Sequence, residues 1–163
     1  MIARSNPRMR LGLGLGLLCL LCALPVTLAC DPKPDRKVRV SVVVILASET
    51  DTTIDKQLVC IAREMTKMHP KLKGFRMGPM ANESLKIGDA KVFNLPEGKT
   101  TTITIQQAAD KMDRIQLKVG PPKMGEITYS TPCGKFLPIL TPYCTKANEK
   151  LIIAIRVQPC NGK

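Results

Sequence analysis

Aromatic side chains are scarce in this chain: Phe, Tyr and Trp together make 3% of the 163 residues, and Trp is absent. Binders of single-stranded nucleic acid stack bases on such rings, so no nucleic-acid partner is expected. Histidine occurs once, as His69. That leaves His-based metal cages and most His-dependent catalytic constellations without members. Acids are few as well, 13 Asp+Glu against 25 Lys+Arg, for a net charge of +12. No GxSxG, SxxK, HExxH, P-loop or GxGxxG pattern follows residue 29. No cofactor, no metal and no catalytic residue is therefore expected, and the chain reads as a non-enzyme.

Apolar residues make up 44% of the chain, a globular proportion at the length of one ordinary domain. The N-terminus is distinct. Residues 1–10 carry Arg4, Arg8 and Arg10 and no acid, and residues 11–29 (LGLGLGLLCLLCALPVTLA) carry no charge. A basic start followed by an apolar core is the plan of a secretory signal peptide, expected over 1–29. Gly12, Gly14, Gly16 and Pro25 make a poor permanent membrane helix, which favours cleavage over an uncleaved anchor. Cys19 and Cys22 fall inside this apolar core and read as small apolar residues.

Thr27-Leu28-Ala29-Cys30 resembles the lipobox of bacterial lipoproteins, with Thr27 where that pattern usually carries Leu. The resemblance covers about the first thirty residues. It implies a lipid on Cys30, membrane attachment through that lipid and a place in the cell envelope. The alternative is a simply secreted, periplasmic or extracellular protein. Residues 30–37 then form a charged, Pro-containing tether, and 38–163 a single disulfide-stabilised domain.

Loss of residues 1–29 leaves a charge of +9 and five cysteines: Cys30, Cys60, Cys133, Cys144 and Cys160. Lipidation of Cys30 would leave four for two bridges. Segments 134–141 and 151–157 read as an antiparallel hairpin turning at Lys146-Ala147-Asn148. Cys133 and Cys144 then lie roughly 35 Å apart at opposite ends of one strand and cannot bond. The expected pairs are Cys133–Cys160 and, by elimination, Cys60–Cys144.

Residues 38–46 (VRVSVVVIL) begin with alternation and end as a continuous apolar run, the mark of a strand buried on both faces towards its end. A helix is expected next, with N-cap oxygens at Asp51, Thr52 and Thr53. Ile54, Leu58, Ile61, Met65 and Met68 form its apolar stripe, and His69-Pro70 its stop. Strands are then expected at 72–77, 85–93, 100–107, 114–119, 126–131, 134–141 and 151–157, with a turn at Gly78-Pro79 among those between them. Pro138 assigns its strand to a sheet edge. The fold class is α+β: an N-terminal β-α-β unit running into an antiparallel meander, or a small two-layer sandwich with one helix at its edge.

The densest basic stretch holds Arg63, Lys67, Lys71, Lys73 and Arg76. It is a weak candidate for an anionic lipid or polymer surface, weighed against ordinary cations at a helix C-terminus. His69, Asp51/Asp55 and Asp110/Asp113 are the acid–base candidates, each with an ordinary structural home at a helix end or turn. Asn82-Glu83-Ser84 matches a glycosylation acceptor. The strand at 100–107 reads as an edge able to accept a partner strand. The expected function is that of an exported envelope module for protein interaction or structural support, with an envelope protein or an anionic surface as partner; a thiol-redox or hydrolytic enzyme is the third and least favoured reading.

Overall fold

The computed structural model describes residues 37–160. The expected signal segment, the expected lipid site Cys30 and all of the expected tether except Lys37 lie outside the described residues.

The α+β reading holds. Strands β1 (Lys37–Ser48), β2 (Gly74–Lys86), β3 (Ala90–Asn94), β4 (Thr100–Gln107), β5 (Arg114–Gly120), β6 (Ile127–Pro132), β7 (Phe136–Cys144) and β8 (Lys150–Pro159) join one helix, α1 (Val59–Met68). They form two four-stranded sheets, ordered β2-β1-β8-β7 and β3-β4-β5-β6. Every strand pair is antiparallel.

The sheets pack face to face. Val38, Val40, Val42 and Val44 of β1 and Leu151, Ile153, Ile155 and Val157 of β8 meet Ile103, Ile105, Ile115, Leu117 and Val119 of the second sheet. The outer face of the first sheet carries α1. Val43, Ile45 and Ala47 with Ile152 and Ala154 pack under Leu58, Ile61, Ala62 and Met65. The apolar run in β1 thus has a cause: one face of the strand meets the second sheet and the other meets the helix.

Three local expectations are corrected. No turn forms at Gly78-Pro79. β2 runs straight through, because Gly78 and Pro79 together oppose the single residue Val44 as a bulge. A Cβ on Gly78 would stand 3.2 Å from Val44 Cγ1, so glycine lets the strands close, and an edge strand tolerates the proline. Next, Asp51, Thr52 and Thr53 do not cap the helix. Residues 53–55 lie alongside β2, with Phe75 N–H donating to Thr53 O at 2.8 Å and Asp55 N–H to Phe75 O at 3.0 Å. The helix begins only after a 3-10 turn at Lys56–Leu58, which leaves Ile54 of the expected stripe outside it and exposed; Met68, at the other end of the helix, is exposed as well. Finally, β4 is paired on both sides, by β3 and β5, so it offers no free edge. Pro138 does lie on an edge strand, β7.

Ile153→Ala in the fully buried layer is expected to lower unfolding stability by about 2–5 kcal/mol. Gly74→Ala is expected to cost about 1–3 kcal/mol, since its Cβ would meet Asp51 O at 2.6 Å. Gly125→Ala, with open space around it, should stay within about 0.5 kcal/mol of wild type. Urea titration of the three variants measures all of these.

Candidate functional site

The basic stretch does not form one patch. Arg63 and Lys67 lie exposed on α1, and Lys71 and Lys73 lie exposed in the segment that follows. Arg76 is on β2, opposite Leu46, whose side chain belongs to the layer between the sheets. Strand alternation therefore turns Arg76 away from the helix layer that Phe75 joins. Its guanidinium is also committed, donating to Glu149 at 2.8 and 3.1 Å.

The carboxylates considered for acid–base work are engaged in local structure. Asp51 accepts from Thr53 N–H at 2.9 Å, and Asp55 accepts from Met77 N–H at 2.6 Å. Asp110 accepts from Met112 and Arg114 N–H at 2.8 and 2.9 Å. Asp113 has a left-handed φ of 56° and hydrogen-bonds the Cys133 thiol. His69 ends α1 through its backbone, donating to Met65 O at 2.7 Å.

All four cysteines of the described residues are free thiols, so neither expected bridge is formed. The thiols are turned to other partners. Cys160 Sγ lies 3.9 Å from Ser84 Oγ, and Cys144 Sγ accepts from Lys150 Nζ at 3.2 Å. Burial, reinforced by Asp113 and Asp110, pushes the Cys133 thiol up to about 11. Cys133 and Cys160 nevertheless line one cleft. Cys60 sits exposed in the first turn of α1, whereas the helix residue that shares a cleft with Lys150, the pairing partner of Cys144, is Met68. Eight helical residues rise about 12 Å.

A polar concavity lies away from the basic stretch. Along the outer face of the first sheet, apolar residues, covered by α1 on β1 and β8 and exposed on β2, give way to polar ones at one level in three strands. β1 passes from Val43 to Ser41 and Arg39, β8 from Ala154 to Arg156 and Gln158, and β2 from Met80 to Asn82 and Ser84. These form a cleft of about 620 Å³, which shares Arg39 and Gln158 with a neighbouring one of about 580 Å³ that reaches Cys133 and Cys160. Arg156 stands over the Phe136 ring, 5.0 Å from its centroid. The possible glycosylation acceptor Asn82 falls on this same face.

At the opposite end of the sandwich, the Tyr143 hydroxyl donates to Glu97, and Lys146 N–H donates to Glu97 Oε1 at 2.8 Å. Lys99 and Lys123 stand 5.4 and 5.3 Å from the Tyr143 ring centroid. A large irregularity in the β7–β8 register, between Leu140 and Cys144, accommodates Tyr143. The Tyr143 bond, then the Lys146 bond, hold the Glu97 carboxyl below its ordinary value. The same bond holds the Tyr143 phenol above its own.

No protein-family model matches the chain, and neither curated proteins nor solved structures yield a match.

Two outcomes follow. A depressed carboxyl adds stability that is complete above its ordinary value of 4.5 and is lost as pH falls through the lower folded-state value. Glu97→Gln is therefore expected to flatten part of the acid limb of stability below about pH 4.5, read from urea midpoints at successive pH values. In the reduced protein at pH 8, iodoacetamide should modify Cys133 on the order of a hundredfold more slowly than a model thiol of pKa about 8.5, as quantified by peptide mapping.

Proposed function

We propose that the chain is an exported envelope protein: a non-enzymatic module for interaction or structural support, carried on the tether 30–37 and anchored through a lipid on Cys30. The observation that carries this reading is the position of the chain ends. Cys160 N–H donates to Lys37 O at 2.8 Å, so the first and last described residues meet at one corner. The loops around Glu97, Lys123 and Lys146 gather at the far end of β1, a strand of twelve residues, roughly 35–40 Å away. A module held at one corner would present that lysine-lined end outward. The engagement of the nominated carboxylates in backbone bonds supports binding over acid–base chemistry.

The shared cleft of Cys133 and Cys160 supports that pair as a bridge formed after export. For Cys60 and Cys144, the helix rise between Cys60 and the Lys150 end argues for separate thiols. A second reading, adhesion to an anionic polymer or lipid, rests on Arg63, Lys67, Lys71 and Lys73. All four are exposed, and none forms an ion pair among the described residues.

The intact mass of protein extracted from its envelope, before and after reduction, tests the first reading. A chain starting at acylated Cys30, with the mass of a single opened bridge gained on reduction, is expected. A chain starting at unmodified Cys30 would overturn the lipid anchor. Under the second reading, Lys67/Lys71/Lys73→Glu abolishes a salt-sensitive retention on anionic polymer. Retention indifferent to both salt and substitution removes it.

A further inference from the structure

We propose that the uncovered polar half of the first sheet's outer face is a binding site for a phosphomonoester borne on a small hydroxylated molecule, held between Arg39 and Arg156. The inference is independent of export and of the lysine-lined end. The register carries the geometry: Arg39 pairs with Gln158 and Ser41 with Arg156. The two arginines are thus diagonal neighbours on one face of adjacent strands, at a spacing their long side chains can close around one group.

The charge of the site is unspent. Among the described residues, neither arginine forms an ion pair. The Arg156 Nε is buried and has no hydrogen-bond partner. Buried donors are ordinarily satisfied, so an orphaned one beside a cleft points to a missing acceptor. The Phe136 ring beneath Arg156 holds the guanidinium plane, which presents its donors as a fixed fork suited to an oxyanion.

Two carboxylates line the walls, and both are engaged. Glu83 is paired with Lys91 at 3.2 Å, and Asp113 is bonded to Cys133 in the neighbouring cleft. The Asp113 carboxylate keeps its charge but lines only the neighbouring cleft; in the cleft of Arg39 and Arg156 itself, with Glu83 paired, what remains is a pair of positive charges, the complement of a phosphomonoester at neutral pH. The volume, about 620 Å³, lies in the range of small-molecule sites and far exceeds a bare ion. Ser41, Asn82, Ser84 and Gln158 fill the rest of the lining with hydroxyls and amides, groups that both donate to and accept from sugar or polyol hydroxyls.

Isothermal titration of the extracted protein with glucose 6-phosphate, inorganic phosphate and glucose tests this. Glucose 6-phosphate should bind saturably, inorganic phosphate more weakly and glucose not at all. Arg39→Gln and Arg156→Gln should each weaken glucose 6-phosphate by about tenfold or more, and Lys56→Gln should leave it unchanged. Arg39 is exposed, so Arg39→Gln keeps the test intact if Arg156→Gln unfolds in a thermal melt. Four results would overturn the proposal. One is no saturation by either phosphate up to about 10 mM, well above the range of ordinary metabolite affinities. Another is affinity indifferent to both arginine substitutions. A third is binding to phosphatidate vesicles alone, which would make the occupant a membrane. The last is binding that appears only once Asp31 and Asp35 are replaced by Asn, which would make the occupant the chain's own tether.

Discussion

Strands β1 and β8 lie at the centre of the first sheet, and their inner halves are apolar on both faces. A strand of that kind needs two covers. One is the second sheet, laid over Val40, Val42, Ile153 and Ile155; the other is α1, laid over Val43, Ile45, Ile152 and Ala154. The rest of the architecture follows from that double requirement. The chain leaves β1, crosses the outer face as α1, returns as edge strand β2, and only then builds the second sheet. β8 closes the structure by sliding between β1 and β7, its pairing with β1 running from Val38–Pro159 to Ala47–Lys150. Burial of an Ile or Leu side chain is worth about 1.5–3 kcal/mol, and the two strands together hold the densest set of such side chains in the chain.

Much of this was legible in the sequence, because side-chain periodicity reports directly on cover. The apolar run ending 38–46 announced a strand buried on both faces, and 134–141 with 151–157 announced the antiparallel hairpin of β7 and β8. The turn at Lys146-Ala147-Asn148 was readable because Asn tolerates the left-handed φ of 60° found at Asn148. What periodicity cannot report is a register irregularity. Gly78-Pro79 carries the composition of a turn, yet the same two residues form a bulge once Val44 lies opposite them. The distinction belongs to the partner strand, which local composition does not contain. The helix start failed for a related reason. Residues 53–55 had a free choice between beginning a helix and bonding Phe75, and tertiary contact decided it.

The candidate sites divide along the same line. Arg63 through Arg76 looked like one cluster because the residues are near in sequence. A helix, a connecting segment and a strand then carry them to different faces, and Glu149 takes the guanidinium of Arg76. The Arg39–Arg156 pair was invisible because its members are 117 positions apart and meet only through the β1–β8 register. A signal for it nevertheless exists. Once the first sheet's outer face is written out strand by strand, the polar residues begin at one level in β1, β8 and β2. Fold stability alone asks only that residues beyond the helix's reach be polar. It does not ask that two of them be arginine, that acidic partners be withheld from both, or that an aromatic ring hold one guanidinium flat.

The two ends of the sandwich also differ in how they handle charge. Near Tyr143, lysines lie against an aromatic ring, and Glu97 is held by a phenol and a backbone N–H with Lys146 and Lys99 close enough to lower its carboxyl, so an acid sits among the cations there. Near Arg156, the ring contact is present but the acid is missing. Compensated charge serves packing, since each group lowers the cost of burying the other. Uncompensated charge in a partly buried setting is stable only while solvent or a ligand supplies the counter-charge. The uncompensated pair Arg39 and Arg156 therefore lies at the end of the sandwich where Lys37 and Cys160 meet, opposite the end where lysines surround Tyr143.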